Sequence, residues 1–530
     1  MRSRLPRALY QASQARELDR IAIEECGIDS FSLMQQAASV AFAALLDKWP
    51  QVKHVQVFVG TGNNGGDGYV LAGLARDNGL NSELVQLGDH NKLNGDALKA
   101  QQFAEQRKVP CSRFDRSGFV ANDNCPAGHT VIVDALLGTG LDRPVSDTYA
   151  DAIATINELD FPVLAIDVPS GLCSNTGNIL GVAVQAQLTT TFIGLKQGLL
   201  TFHGLDSCGE LVYHNLDVPD KVFSGDNSPR PSCRRIDVSQ MSRLLLPRQA
   251  SAHKGDFGHT VILAGDYGFG GAALMAAEAA VRAGSGMVSV VTRSVHRTAI
   301  LSRRPEIMVL GTEDTTDEES APAEREADRI GDLLERASVI VVGPGLGKSN
   351  WSRKLLQRAM QAQLAQGLPL VVDADGLNLL AERRDQSSHR KRDNWILTPH
   401  PAEAARLLGG ETGEVQADRF AAVATMQQDW GGVCLLKGAG SLVCYVADGE
   451  PCIELCSEGN PGMASGGMGD VLSGIIGALV AQKFSLADSL RLAVCVHGES
   501  ADLASAAGGQ RGMAATDLYP YIRQLMSPET

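Results

Sequence analysis

Short apolar, β-branched runs alternate with stretches of helical period along this chain, and the alternation is played through twice. In the first half, His54–Gly60, Glu83–Leu87, Thr130–Asp134, Val163–Asp167 and Thr189–Gly194 predict strands. Before them, Met34, Ala38, Ala41, Phe42 and Leu45 recur on one helical face, behind a capping-box pattern of Ser32 and Gln35. A further helix runs through Leu74 and is closed by Gly79 as the residue past its C-cap. In the second half, His259–Gly265, Gly286–Thr292, Ser338–Gly343, Leu368–Asp373, Trp395–Thr398 and Val433–Lys437 predict strands. Gly469–Leu479 and Leu486–Ala506 predict helices. Such alternation implies mostly parallel sheets with helices on both faces, so the expected fold class is α/β with two doubly wound domains. The polar, proline-containing stretch Pro219–Gln240 divides them: domains are expected over 1–225 and 241–530, with a linker at 226–240. The halves do not repeat one another, which predicts two different domains.

Composition narrows the class of function. At 530 residues, 44% apolar and 20% charged, the chain has ample core and is not a disordered or fibrous protein. A net charge of −14 speaks against broad binding to nucleic acid or to an anionic membrane. Aromatics are only 5% while glycines number 56, which suits ligand loops built from backbone better than base-stacking platforms. The apolar stretches Ala37–Leu46 and Gly474–Ala481 fall far short of the ~20 residues of a membrane span, and the N-terminus lacks a signal-peptide core. A cytoplasmic location is expected. The 11 cysteines show no C-x-x-C, and the pair Cys452 and Cys456 reads as filling a strand face rather than binding metal. Glu313–Asp328, with eight acidic residues, reads as a solvated segment.

In open parallel sheets ligands bind at the carboxyl ends of the strands. Gly60-Thr61-Gly62-Asn63-Asn64-Gly65 follows a strand and matches G-x-G-x-x-G, with Glu83 at the spacing of a ribose-binding acid; alone, this predicts a dinucleotide site or a simple tight turn. Asp134 ends a strand before Leu137-Gly138-Thr139-Gly140-Leu141, and Asp167 ends another before Pro169-Ser170-Gly171. Asn64, Asp134, Asp167 and Ser170 are therefore expected to converge, offering hard oxygen ligands for a cation and a carboxylate for proton transfer. In the second half, Gly343–Ser349 resembles a Walker A loop but has Val342 where that motif needs glycine, so it reads as a turn that substrate approaches closely. Lys437-Gly438-Ala439-Gly440-Ser441 follows a strand and can contact phosphates. The stretch Asn460–Asp470 opens an apolar helix, whose free N–H groups form an anion hole with Asp470 beside it as a base.

These segments resemble the family of bifunctional NAD(P)H-hydrate repair enzymes over nearly the whole chain. GTGNNGGDGYVLA (60–72), DALLGTGLDRPV (134–145), DVPSGL (167–172) and TFIGLKQGL (191–199) are similar to an NAD(P)H-hydrate epimerase, which implies a Rossmann-like domain. HKGDFG (253–258), GPGLG (343–347), DADGLN (373–378), TPHPAE (398–403), KGAGS (437–441) and GNPGMASGGMGDVLSG (459–474) are similar to an ADP-dependent (S)-NAD(P)H-hydrate dehydratase, which implies a ribokinase-like domain. The resemblance implies that the first domain interconverts R and S hydrates, and that the second restores NADH or NADPH from the S form while ADP becomes AMP and phosphate. It places the hydrate on Asn63, Asn64, Gly65, Gly66 and Asp67, and on Gly138, Thr139, Gly140, Leu141, Asp142, Arg143 and Pro144. Potassium falls on Asn64, Asp134 and Ser170, with Asp167 on the substrate and Lys196 as a second catalytic group. In the dehydratase it implies hydrate contacts at Ala272 (Ala273 fits about as well), Gly345, His400 and Asp470, the last as general base. Lys437, Gly438, Ala439, Gly440, Ser441 and Gly469 would take ADP, which a magnesium ion accompanies. A homo-oligomer is expected. The competing expectations are a ribokinase-like small-molecule kinase, a first half that only binds, and an NAD-dependent dehydrogenase resting on G-x-G-x-x-G alone.

Overall fold

The computed structural model describes residues 5–116, 128–313, 329–383 and 391–527, and it divides into two compact units, Met1–Arg234 and Arg235–Thr530. All but the first residue of the acidic run Glu313–Asp328 lies outside the described residues.

The strands of the first unit are β1 (Ala8–Leu9), β2 (His54–Val59), β3 (Asn81–Gln86), β4 (Cys111–Arg113), β5 (Thr130–Ala135), β6 (Val163–Ile166), β7 (Leu188–Phe192) and β8 (Glu210–His214). Seven of them form one parallel sheet in the order β4-β3-β2-β5-β6-β7-β8. Every residue of β2 and β5 is buried, as expected of central strands covered on both faces. The order reverses between β2 and β5, which opens a crevice at their carboxyl ends. β1 pairs antiparallel with β9 (Cys233–Ile236), Leu9 opposite Cys233. That strand and the helix beginning at Val238 lie in the stretch read from sequence as a linker.

One capping assignment is corrected. The helix Ser30–Lys48 starts earlier than its apolar face suggests, and its N-cap is Asp29, whose carboxylate accepts from the Ser32 N–H at 2.8 Å and the Ser32 hydroxyl at 2.9 Å. Ser32 is thus a donor in the first turn rather than the cap. Met34, Ala38, Ala41, Phe42 and Leu45 are all buried, and Gly79 closes the helix Asn63–Asp77 at φ 78°.

In the second unit the strands are β10 (His259–Leu263), β11 (Met287–Arg293), β12 (Met308–Thr312), β13 (Val339–Val342), β14 (Leu370–Val372), β15 (Trp395–Leu397), β16 (Val433–Leu436), β17 (Ser441–Ala447) and β18 (Glu450–Cys456). They follow the order β18-β17-β16-β15-β14-β13-β10-β11-β12, parallel from β16 to β12 and antiparallel through the β16-β17-β18 meander. This order reverses between β10 and β13, so a second crevice opens there. The helix Met468–Ala481 crosses its sheet face close to the helix Gly270–Arg282. A Cβ at Gly474 would come within 2.1 Å of the Ala276 carbonyl, so only glycine allows the two backbones to meet.

Candidate active sites

In the first unit the loops after β2, β5 and β6 meet. Gly60 donates to the Ala135 carbonyl at 3.1 Å, and a Cβ there would stand 2.1 Å from the Leu136 carbonyl. Gly65 and Gly66 are likewise packed inward, against the Gly60 carbonyl and Met34. With the loop held this tightly, Asn64 is buried at the N-terminus of its helix, and its side-chain nitrogen donates to the Leu137 carbonyl at 3.0 Å. Its Oδ1 is buried and has no hydrogen-bond partner among the described residues. Asp134 is fully buried. It accepts from the Ser170 N–H at 2.7 Å, the Ser170 hydroxyl at 2.6 Å and the Leu136 N–H at 3.2 Å, and burial pushes it up to about 6. Among the described residues no cationic side chain pairs with Asp134. An unpartnered amide oxygen, a buried carboxylate and a serine oxygen are the hard donors that an alkali cation accepts.

Asp167 adopts φ 67°, a left-handed conformation that costs a non-glycine residue about 1–3 kcal/mol and is held by its surroundings. Its N–H donates to the Thr190 carbonyl, and its Oδ1 takes an ion pair from Lys196. Lys196 is buried and also donates to Thr191 Oγ1 at 3.2 Å and the Phe192 carbonyl at 3.1 Å. The other carboxylate oxygen of Asp167 faces the second loop: a Cβ on Gly138 would lie 3.8 Å from it and 3.3 Å from Asn64 Cβ. Thr139 and Leu141 are half-buried, while Asn63, Gly140, Asp142, Arg143 and Pro144 are exposed around them. Asp67 is raised well above the carboxylate range by burial, by Asp167 and by Asp19. Asp19, which sequence reasoning missed, is pushed up to about 6 by burial, with Lys196 opposing. It lies in ASQARELDR, where Glu17 and Arg20 make the segment look like a solvated face.

Glu83 does not belong to this site. It sits inside β3 opposite Gln56, whose amide donates to it at 2.7 Å, with His54 at 3.3 Å. A mid-strand carboxylate held by its sheet neighbour is not placed at the carboxyl end, and the ribose reading of G-x-G-x-x-G falls with it.

In the second unit the loops after β13, β14, β15 and β16 converge on the helix Met468–Ala481. Lys437, at the end of β16, donates to Asp373 Oδ1 at 2.7 Å. Asp373, at the end of β14, is buried and also accepts from Thr398 at 2.9 Å and Ser473 at 2.7 Å. Burial opposes its charge, but Lys437 and the two hydroxyls outweigh that and hold it low. Gly469 lies over the pair, its missing Cβ 3.4 Å from Lys437 Nζ and 3.6 Å from Asp373 Oδ2. The next residue, Asp470, is pushed up to about 7, first by burial and then by the charge of Asp373, with Lys437 opposing. A carboxyl poised near neutrality at a helix N-terminus is matched to proton transfer at physiological pH. Asp373 was quoted from sequence only within a motif; as the buried anion between Lys437 and Ser473, it sets the electrostatics of the site.

His400 caps the helix Pro401–Leu408, its Nδ1 accepting from the Ala402 N–H and its Nε2 3.2 Å from Glu403. Burial and then Lys437 pull it below the usual histidine range. Gly345 and Ala272 adjoin, a Cβ on the glycine falling 2.9 Å from Ala272 Cβ, while Ala273 is buried in the core. Lys348 is exposed, 3.9 Å from Glu382, and so is no phosphate lysine. The Lys437–Ser441 loop is held from behind by Arg419, a buried guanidinium that donates to the Leu436, Lys437 and Gly440 carbonyls at 3.3–3.4 Å. Burial pulls this arginine down to about 10. Nothing in its sequence neighbourhood marks it, since an arginine opening a helix ordinarily faces water.

The folds and sites define a two-domain α/β enzyme: one crevice with a carboxylate–lysine pair beside a cation-suited cage, the other with a phosphate-suited helix N-terminus and a near-neutral base. Residues 30–198 match the family model described as YjeF-related protein N-terminus, and residues 260–524 match NAD(P)H-hydrate dehydratase. The bifunctional NAD(P)H-hydrate repair enzyme Nnr of Coxiella burnetii is 44% identical, covering 98% of this chain and 99% of that protein. That of Escherichia coli is 39% identical, covering 99% and 95%. A crystal structure of ADP/ATP-dependent NAD(P)H-hydrate dehydratase from Bacillus subtilis with ATP/Mg2+ is 25% identical over 54% of this chain and 95% of that one, with a TM-score of 0.44. The chain belongs to the family of bifunctional NAD(P)H-hydrate repair enzymes.

Proposed function

We propose that this chain returns hydrated nicotinamide cofactors to use: an epimerase domain (1–225) interconverts the R and S hydrates of NADH and NADPH, and a dehydratase domain (241–530) dehydrates the S form at the expense of ADP. The observation that carries the reading is Asp470, near neutrality beside the Lys437–Asp373 pair at an open helix N-terminus. There the C6 hydroxyl of the hydrate attacks the terminal phosphoryl group of ADP while Asp470 takes its proton. The new O–P bond forms as the bond to AMP breaks. Lys437 and the N–H groups around Gly469 offset the charge that develops on the phosphoryl oxygens. Phosphate then departs from C6 with the bonding pair as C5 loses a proton, restoring the double bond. Phosphate leaves far more readily than hydroxide, which is why a nucleotide is consumed. A magnesium ion bound with ADP would offset phosphate charge, and the Lys437–Ser441 loop, held by Arg419, takes the nucleotide.

In the epimerase domain Lys196 pairs with Asp167 and fixes one of its oxygens, leaving the other toward the Gly138 loop for the proton at the reacting carbon's hydroxyl. Potassium would be held by Asn64, Asp134 and Ser170, and when bound would supply positive charge in the crevice. The orphaned Oδ1 of Asn64 and the buried carboxylate of Asp134 fit it. A cytoplasmic homo-oligomer belongs to the same proposal, tested by cell fractionation and light scattering. Chromatography that resolves the two hydrates tests the division of labour. Asp470→Asn is expected to stop dehydration and spare epimerisation, and Asp167→Asn to do the reverse. Loss of both activities in either folded variant overturns the assignment.

A further inference from the structure

Two thiols and a carboxylate that play no part in the chemistry above come together behind the anion-hole segment. Cys456 is the last residue of β18, Glu458 follows two residues later, and Cys495 lies midway along the helix Leu486–Gly508. One ligand atom of each, the two sulfurs and a carboxylate oxygen, lies within 4.8 Å of the others. Cys456 and Cys495 are 2% and 0% exposed, and Glu458 is half-buried. A buried cysteine alone is ordinary core filler. A carboxylate held between two of them is not. Glu458 Oε1 accepts from the Val238 N–H at 2.8 Å, Oε2 accepts from the Cys456 thiol at 3.8 Å, and the Cys495 thiol bonds the same carboxyl, while among the described residues no Lys, Arg or His forms an ion pair with it. Its charged neighbours, Glu499 and Asp237, are acidic, although Asp237 is itself paired with Arg235 at 3.1 Å.

We propose that Cys456, Glu458 and Cys495 form a binding site for one thiophilic divalent cation of the zinc class. Two sulfurs and one oxygen select a borderline-soft ion and reject magnesium and calcium, which take all-oxygen shells. Three protein ligands from two elements suffice for a tetrahedral ion that completes its shell with water. The site lies where it can be felt: Glu458 leads directly into Gly459 and Asn460, which Asp502 of the same helix holds at 2.9 and 2.8 Å, and the segment ends at Asp470. The cation therefore ties the root of the phosphate-binding segment to the helix behind it. Neither the spacing of Cys456 and Cys495 nor any motif reveals the site, because the ligands are brought together by the sheet–helix packing.

The test uses the full-length chain, reduced and stripped of metal, titrated with Cd2+ and followed by the thiolate-to-cadmium charge-transfer absorbance. One equivalent per chain is expected, displaced by excess Zn2+ and undisturbed by Mg2+. Cys456→Ser with Cys495→Ser should abolish the band, and Glu458→Gln should weaken binding about tenfold or more while keeping it. The absorbance reads binding directly, so the mild serine variants need only keep a native circular-dichroism spectrum and melting transition. If the double variant does not fold, Cys495→Ala alone, expected to lose the one-equivalent band, serves in its place. Absence of the band in the reduced wild type overturns the site. So does its persistence in the cysteine variant, or a disulfide joining Cys456 to Cys495 found by non-reducing peptide mapping of the freshly purified protein.

Discussion

The sharpest consequence of the dehydratase geometry is a pH dependence that an ordinary aspartate would not produce. Asp470 must be ionised to take a proton, and burial together with Asp373 pushes it to about 7. With that value, about 9% of the free enzyme is competent at pH 6 and about 91% at pH 8, so kcat/KM for the hydrate at saturating ADP should rise about tenfold across the interval. An aspartate at its unshifted 3.8 would be fully ionised at both pH values and give a flat profile. The informative perturbation is Asp373→Asn. It removes the like charge that raises Asp470 and takes from Lys437 its partner at 2.7 Å, and both changes favour the ionised form of Asp470. A midpoint lowered by about one unit shrinks the rise between pH 6 and pH 8 to about twofold. The variant leaves the half-buried Lys437 with Glu403, 3.9 Å away, as its remaining partner, so its fold must be checked by circular dichroism and the shape of the profile read rather than its height. A flat wild-type profile, or a midpoint unmoved in Asp373→Asn, refutes the reasoning.

Other outcomes are equally specific. Because Asp470 holds its proton in the folded chain up to about 7 and only to about 3.8 when unfolded, native stability falls as pH rises between those values; Asp470→Asn should gain on the order of a few kcal/mol at pH 8 and little at pH 4, read as the difference in melting temperature. Lys196→Met removes the counter-charge of the half-buried Asp167, and should abolish epimerisation, lower the stability of the first unit in urea and leave dehydration intact. Replacing potassium by sodium should slow epimerisation by the wild type, whereas Asn64→Leu should be slow and indifferent to the exchange, measured by chromatography of the two epimers.

The strands and the crossover loops were legible because a parallel, doubly covered sheet writes itself as short apolar runs ending in glycine or aspartate. β2, β5, β10 and β13 are such runs. β8 and β18 escaped because polar residues interrupt them: ELVYH is only partly buried, and EPCIELC passes from exposed to buried along its length. The site residues that motifs expose, Asn64, Asp134, Asp167, Lys437 and Asp470, all stand at strand or helix ends. The supporting charges were hidden for a physical reason. Asp19, Arg419 and Glu458 act through burial beside groups distant in sequence, and burial of a lone charged residue has no local signature.

The most direct test of the whole account is recovery of absorbance at 340 nm when purified protein, ADP and magnesium are added to a mixture of R and S NADH hydrates. Complete recovery, faster than the uncatalysed epimerisation carries the R form across, is the predicted result and requires both sites in one chain. Recovery that stops at the S fraction contradicts an active epimerase. No recovery with ADP or ATP, together with a phosphorylated product that persists, contradicts repair altogether and makes the second unit a kinase.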